Sequence, residues 1–517
     1  MRNFVPLTLG DMLEDNAARF GDRPAYVYAG QTLSHGQLLA NAKRLASALA
    51  RRGVRRQDRV AILSMNSLEY GEVLAASEWS GIIVATVNFR LAPPEMAYII
   101  NNSSPRVLIF ESQYLAVIDK LRPELASVET YVCIGGESTW AQSYDEFIAS
   151  GDAAGPGFKA REEDIYCLVY TSGTTGKPKG CILGQREVRM GAQTLSTEIR
   201  GGPSDSILLV MPLFHVGAMH MGQSVHFRGG AVVLLRQFDP ATLLKTVAGE
   251  RITVLHLAPT LLQMVLDTPE VDKTDFSSVR TVVYSAAAMP VSVLKRGIEV
   301  LGNVFVNLYG LTEVFCSGLA RELHRPDGSA RERNWLTSVG HPFPNTLIKI
   351  IDDGGEECKT DVLGEIVVKS VAMARGYWNN HAATLESFRD GWCFTGDVGK
   401  FDADGLLYLV DRKKDVIISG GENIYSREVE DAVLAHPSVS ECAVIGVPDS
   451  KWGESVCAVV VLRSGRTATE GEIIEHSRTF IAGFKKPRSV VFVSELPKLP
   501  TGKINKVELR KSARRPG

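Results

Sequence analysis

The chain has 517 residues, 45% of them hydrophobic and 22% charged, with a formal net charge of −2 at pH 7. Those values describe an ordinary globular protein of two or more domains with a large core. They exclude a whole-chain field that would draw it to nucleic acid, and no uninterrupted apolar run approaches the ~18–20 residues of a membrane span. Met1-Arg-Asn-Phe-Val-Pro lacks the shape of a signal peptide, and Arg514-Arg-Pro-Gly517 is not a peroxisomal address. The eight cysteines are scattered, without a C-x-x-C pair or a His/Cys cluster. They read as free thiols of a reducing cytosol and argue against a thiolate-held metal. The expectation is a cytoplasmic protein.

Residues 1 to about 160 alternate helical and strand patterns. Thr8 to about Phe20 and Gln37 to about Arg52 read as helices, then Val60–Ser64 as a strand and Leu68 to about Ser80 as a helix. Ile82–Val87, Arg106–Phe110 and Thr130–Ile134 read as further strands. Such alternation predicts a parallel sheet covered by helices. After a loop at Gly151–Gly157, the apolar run Ile165–Tyr170 reads as a buried strand. It empties into Thr171-Ser-Gly-Thr-Thr-Gly-Lys-Pro-Lys-Gly180, which holds three glycines, four hydroxyls and two lysines. Glycines let backbone N–H groups approach an anion, hydroxyls donate and ammonium groups neutralise, so this stretch predicts a phosphate cradle. It is not the common phosphate loop. Gly173 and Gly176 stand too close together, and Pro178 occupies the place of the magnesium-binding hydroxyl.

The alternation resumes with strands at Ile207–Met211, Ala231–Leu235, Thr253–Leu257, Thr281–Ser285 and Val304–Leu308, and with helices such as Pro240–Ala248 and Pro290–Leu301. Ligands bind at strand ends in open α/β sheets, and polar punctuation falls there: Pro212-Leu-Phe-His215, Ser285-Ala-Ala-Ala-Met-Pro290 and Tyr309-Gly-Leu-Thr-Glu313. From about residue 335 the short strands Ile348–Ile351 and Gly364–Lys369 suggest a small β subdomain. Phe394-Thr-Gly-Asp397 reads as a turn with a carboxylate. The charge run Asp411-Arg-Lys-Lys-Asp415 separates strands Leu406–Val410 and Val416–Ser419, and the domain boundary is placed near Lys414. Beyond it, helices at Ser426–Leu434 and Glu470–Phe480, with strands at Ser440–Val447, Val456–Leu462 and Ser489–Val493, predict a small α+β domain.

Alone, Tyr309–Glu313, Phe394–Asp397, Asp411–Asp415, Ser419-Gly-Gly-Glu-Asn423 and Leu499-Pro-Thr-Gly-Lys-Ile-Asn-Lys506 each have an ordinary turn, loop or surface reading. In this order and spacing, together with Thr171–Gly180, they resemble the adenylate-forming superfamily of acyl-CoA synthetases, peptide-synthetase adenylation domains and firefly-type luciferases. The resemblance covers nearly the whole chain. It implies an α/β fold: a large domain, 1–412, of two helix-covered, mainly parallel sheets plus a small β subdomain, and a mobile α+β domain, 413–517, on a hinge at Lys414.

The implied reaction has two steps. A carboxylate attacks the α-phosphate of ATP to give an acyl-adenylate and pyrophosphate, and a thiol then displaces AMP. Charge builds on phosphate oxygens, so preorganised donors and cations are the main need. By resemblance, Thr171, Ser172, Gly173, Thr174, Thr175, Gly176 and Lys179 wrap the phosphates. Tyr309 stacks on adenine beside Ala286, Ala287, Leu308 and Gly310, with Asn307 near the amino group. Thr312 donates to the α-phosphate. Glu313 holds Mg²⁺, with Thr175 acting through the phosphates. Asp397 takes the ribose hydroxyls with Arg412 beside it, and Lys503 reaches both the carboxylate and the α-phosphate.

The acyl pocket implied by the resemblance involves His215, Gly217, Ala218, Met219, Tyr284, Ala286 and Ala287, with Gly310, Leu311, Phe315 and Cys316. These are small or apolar for the most part, and no acidic residue is placed for an ammonium, so a medium-chain fatty acid or an aryl or aryl-propenoic acid is expected rather than an amino acid. His215 has an ordinary reading as a core histidine and, by resemblance, one as a gate to the thiol tunnel. Ser419, Gly420, Gly421, Glu422 and Lys485 are expected on the coenzyme A side. Gly391-Trp-Cys-Phe-Thr-Gly-Asp397 and Gly420-Gly-Glu-Asn-Ile-Tyr425 are most similar to the fatty-acid and aryl-acid CoA ligase branch. Alternatives on the same scaffold are a luciferase-like oxygenase, a carrier-protein acyl-AMP ligase and a non-catalytic nucleotide sensor. The expected partners are a small carboxylic acid, ATP and coenzyme A, with no nucleic acid and a monomer or homodimer.

Overall fold

The computed structural model describes residues 8–171, 177–287, 289–420, 422–498 and 504–513. The chain divides into two compact units, Met1–Ile348 with Val368–Cys393, and Lys349–Val367 with Phe394–Gly517. The first unit is built on two sheets. A seven-stranded sheet runs Gln142–Ser143, Thr130–Ile134, Val107–Glu111, Arg59–Leu63, Ile83–Thr86, Ile165–Thr171, Lys179–Gly184. Only its last pair is antiparallel. Its central strands are buried almost throughout, as expected for parallel strands covered on both faces.

A nine-stranded sheet has its parallel centre at Phe305–Gly310, Thr281–Ser285, Val254–Leu257, Ser206–Leu209, Ala231–Leu234 and Pro24–Tyr28. Antiparallel strands close both edges. Valines, leucines and isoleucines from facing sides of both sheets meet in one central core around the helices Leu68–Ser80, Gln185–Glu198 and Val216–His226, and each sheet carries its own core on its outer face. The α/β architecture with mainly parallel sheets is therefore observed.

Four local features add to or refine the sequence reading. The hairpin Pro24–Tyr28/Gln31–Ser34 went unread, although Ala29 and Gly30 at its tip both take positive φ, the geometry that a tight two-residue hairpin turn requires. The two ends of the stretch Thr171–Gly180 pair in an antiparallel ladder, with Thr171 opposite Lys179 and Tyr170 opposite Gly180, while residues 172–176 lie outside the described residues. Phe394–Asp397 lies inside the strand Trp392–Phe401 and is not a turn: Cys393, Thr395 and Asp397 alternate inward, and Gly396 alone takes a left-handed φ of 68°. The helix read at 470–480 ends earlier, as Glu470–Ser477.

The helix Leu68–Ser80 is buried on nearly every side and carries Glu78 into the central core. Tyr166 Oη and Gln223 Nε2 donate to Glu78 Oε1 at 3.3 and 3.1 Å. Burial pushes the carboxyl up to about 7, against the pull of those two donors. Stability linked to this group is present below pH 4.5 and is lost as pH rises through about 7. Relative to Glu78→Gln, the wild type is expected to lose on the order of 3 kcal/mol across that window. Denaturant melts of both proteins from pH 5 to 8 measure it, and a difference that stays flat with pH would contradict it.

In the second unit, Val439–Asp449 and Gly453–Leu462 form a long antiparallel ladder, joined by Ser489–Phe492 in parallel and by Ile417–Ser419. Helices Ser426–Leu434 and Glu470–Ser477 cover it through an apolar core that includes Val429, Val433, Ile473, Val444 and Val460. The helix Lys506–Ala513 is tied down through charge. Lys506 Nζ reaches Glu430 Oε1 at 2.7 Å and Ser426 Oγ at 2.6 Å, and Arg510 pairs with Asp415 at 2.7 Å. All eight cysteines are free thiols. Among the described residues no helix is long and apolar enough to cross a membrane.

Candidate functional site

At the C-terminal ends of the central strands of the nine-stranded sheet, small and polar residues replace the core apolars. Thr281–Ser285 ends at Ser285, and Ala286 follows with a φ of 71°, a left-handed conformation that a β-carbon disfavours. That turn leaves Ala286 and Ala287 exposed. On the next strand, Asn307 is buried and donates from Nδ2 to the Tyr284 carbonyl at 3.3 Å, while its Oδ1 has no partner among the described residues. A buried acceptor left unpaired costs about 1–3 kcal/mol unless a ligand donor satisfies it. Tyr309 and Leu308 are buried beside it, and Gly310 is exposed where a β-carbon would stand 2.9 Å from the Val314 carbonyl. Exposed small residues next to an unpaired acceptor suit a planar group bearing an amino donor, so these residues fit adenine.

The following turn carries Thr312 and Glu313, both half-buried. A segment distant in sequence holds it. Ala374 N–H donates to the Glu313 carbonyl at 2.8 Å, and Tyr377 Oη donates to Glu313 Oε1 at 2.6 Å. The same segment runs along the strand Lys179–Gly184: Ile182 N–H donates to the Gly376 carbonyl and Trp378 N–H to that of Gly180, at 2.9 and 2.7 Å. Lys179 Nζ lies 4.3 Å from the centre of the Tyr377 ring. Tyr377 therefore touches both the lysine and the carboxylate singled out from the sequence, and its own hydroxyl is driven far above its usual range by burial and by the Glu313 charge. Sequence reasoning missed Tyr377. Its one signal is Gly376, whose φ of 123° lets the chain turn onto that strand.

The residues expected at the acyl pocket are not all brought together. His215 precedes the helix Val216–His226, and its ring packs on Phe214 at 4.4 Å. Gly217 is half-buried, while Ala218 and Met219 are buried on the central-core side of the sheet. Phe315 meets His220 edge-to-face at 4.7 Å, Cys316 is buried, and Leu311 N–H closes the turn onto the Val314 carbonyl. Tyr284 is separated from them. It sits in the outer core on the opposite face, where its hydroxyl meets His324 Nε2 at 2.9 Å.

Within the second unit, Asp397 is buried and Arg412 Nε lies 2.6 Å from its Oδ1. Their strands pair in register there. Lys414 is exposed in the short helical turn Lys413–Asp415. Ser419 is half-buried, Glu422 is exposed, and Gly420 turns with a φ of 62° against Trp452. Lys485 is committed to Glu428 at 2.7 Å rather than standing clear. Ser172, Gly173, Thr174, Thr175, Gly176, Gly421 and Lys503 lie outside the described residues.

Comparison with known proteins matches the AMP-binding enzyme family over residues 13–378 and the AMP-binding enzyme C-terminal domain over 428–503. The chain is 34% identical over 506 residues to an indoleacetate–CoA ligase of Aromatoleum aromaticum, covering 98% of each. It is likewise 34% identical over 512 residues to the long-chain-fatty-acid–CoA ligase FadD13 of Mycobacterium tuberculosis, covering 97% of this chain and 98% of that one. Among solved structures, the amide bond synthetase McbA from Marinactinospora thermotolerans superposes with a TM-score of 0.88 at 30% identity, covering 98% of this chain and 99% of the other.

Proposed function

The chain belongs to the AMP-binding enzyme family, and we propose that it is an ATP-dependent acid:CoA ligase acting on an aryl or fatty acid. It is an AMP-forming acyl-CoA synthetase, with ATP and coenzyme A as co-substrates of the acid. One observation carries the reading of the site: Asn307 Oδ1, without a partner among the described residues, and the Tyr377-held Glu313 carboxylate stand six residues apart at the same end of one sheet.

In this reading Asn307 accepts from the adenine amino group, and Tyr309 packs on the ring between Ala287 and Gly310. Thr312 donates to the α-phosphate, while Lys179 and the residues Thr171–Gly176 hold the departing pyrophosphate. Mg²⁺ is a hard cation that takes oxygen ligands, and Glu313 supplies one; the metal would neutralise phosphate charge. In the second unit Asp397 and Arg412 form the ribose-binding pair. Lys503 serves adenylation, and a rotation at Lys414 exchanges it for the Ser419–Glu422 face when the thiol reacts, so that one site serves two chemistries. The domain boundary of this reading falls after residue 412.

Pyrophosphate release with ATP, measured over C4 to C16 fatty acids, benzoates, cinnamates and arylacetates, with and without coenzyme A, tests the proposal. Acid-dependent pyrophosphate and a coenzyme A-dependent thioester are expected. No acid-dependent pyrophosphate would overturn it, and product formation only with an amine acceptor would replace the thiol by an amine.

A further inference from the structure

Across adjacent strands of the nine-stranded sheet, Leu209, His256, Val283 and Val306 form one register row. The three apolar members belong to the central core that includes Ala218 and Met219 of the helix Val216–His226. His256 is the polar exception and is only 1% exposed. Its Nε2 lies 2.8 Å from Ser285 Oγ, and its Nδ1 has no partner among the described residues. Burial lowers the imidazole to about 4, so the ring is neutral at pH 7. An unpaired buried acceptor is tolerated better than an unpaired N–H, which puts the ring proton on Nε2, where it is donated to Ser285 Oγ. The Ser285 hydroxyl proton is then available to a third group.

Ser285 is half-buried at the end of its strand, immediately before the left-handed turn at Ala286. His256 faces the first turn of the helix Val216–His226. A β-carbon built on Gly217 meets a single heavy atom of the described residues within 4 Å, the His256 Cε1 at 3.6 Å. A hydroxyl donor fixed by an imidazole thus stands at the strand end, and that imidazole meets Gly217 of the stretch proposed for the acyl group.

We propose that Ser285 is a specificity-determining residue, held by His256 as its positioning residue, that donates a hydrogen bond to an oxygen substituent of the acyl group. The acid activated is then a hydroxy- or alkoxy-substituted one rather than a plain hydrocarbon acid. The inference rests on the ligase reading above.

The test compares kcat/KM for pyrophosphate release within matched pairs: cinnamic with 4-hydroxycinnamic, phenylacetic with 4-hydroxyphenylacetic, and octanoic with 8-hydroxyoctanoic acid. The full chain is expected to favour the oxygenated member of at least one pair by about tenfold, and Ser285→Ala to remove that preference. His256→Leu should remove it as well, whereas His256→Gln, whose amide can still donate to Ser285 Oγ, should restore it. Thermal melts confirm that each variant is folded, and Ser285→Ala decides the matter if His256→Leu melts early. A preference that survives Ser285→Ala, or a wild type that favours the hydrocarbon member of every pair, would overturn the proposal. Absence of pyrophosphate with any acid would instead overturn the ligase reading itself.

Discussion

Lys503→Ala is expected to slow adenylation by about a thousandfold, near 4 kcal/mol of transition-state stabilisation, while transfer from supplied acyl-adenylate to coenzyme A stays within a few-fold. The asymmetry follows from where charge develops. In the first half-reaction a carboxylate approaches a phosphate, and two anions must be held together, which calls for a mobile point charge. In the second half-reaction the acyl carbon is already activated. The chain on either side of this lysine is anchored in the second unit. Lys498 bridges Ile504, and Lys506 is fixed to Glu430 and Ser426. Pyrophosphate release and thioester formation, assayed separately, check the expectation, and equal losses in both would remove Lys503 from the adenylation step.

The second large effect is expected at Glu313. Glu313→Gln should lower kcat/KM for ATP more than a hundredfold, because the carboxylate is the proposed hard-cation ligand and a neutral amide replaces its charge. Tyr377→Phe should act in the same direction but less, by about tenfold. It keeps the carboxylate and removes one charge-assisted hydrogen bond, made at 2.6 Å, from Glu313 Oε1. The half-saturating Mg²⁺ concentration should rise in both variants, and binding of Mn²⁺ followed by electron paramagnetic resonance in the presence of ATP gives a readout independent of turnover. A Tyr377→Phe protein with unaltered metal dependence would reduce the tyrosine to a packing role.

Much of this architecture is legible in the chain because its signals are local. Strands such as Val107–Glu111 and Ile83–Thr86 are buried on both faces and so read as short apolar runs between helical patterns. The dense Gly, Thr and Lys content of Thr171–Gly180 points to the proposed anion cradle without any neighbour being known. The hairpin at Pro24–Ser34 escaped because it lies at the sheet edge, where half-exposed and polar residues blur the period. The face taken by Tyr284 was available from alternation alone: a period of two sends it away from Val283 and into the outer core. The turn read at Phe394–Asp397 misled because Gly and Asp usually mark turns, whereas here Gly396 bends a continuing strand.

The sequence by itself determined the family, the two-step chemistry it implies, and the candidate groups proposed to meet ATP, because those candidates lie in contiguous motifs. The tertiary structure alone decided what holds them. Tyr377 reaches Glu313 across 64 residues, His256 reaches Ser285 across 29, and Asn307 is left with an oxygen unpaired among the described residues. Side-chain direction and the pairing of buried polar atoms depend on which strands become neighbours, and no local pattern encodes that.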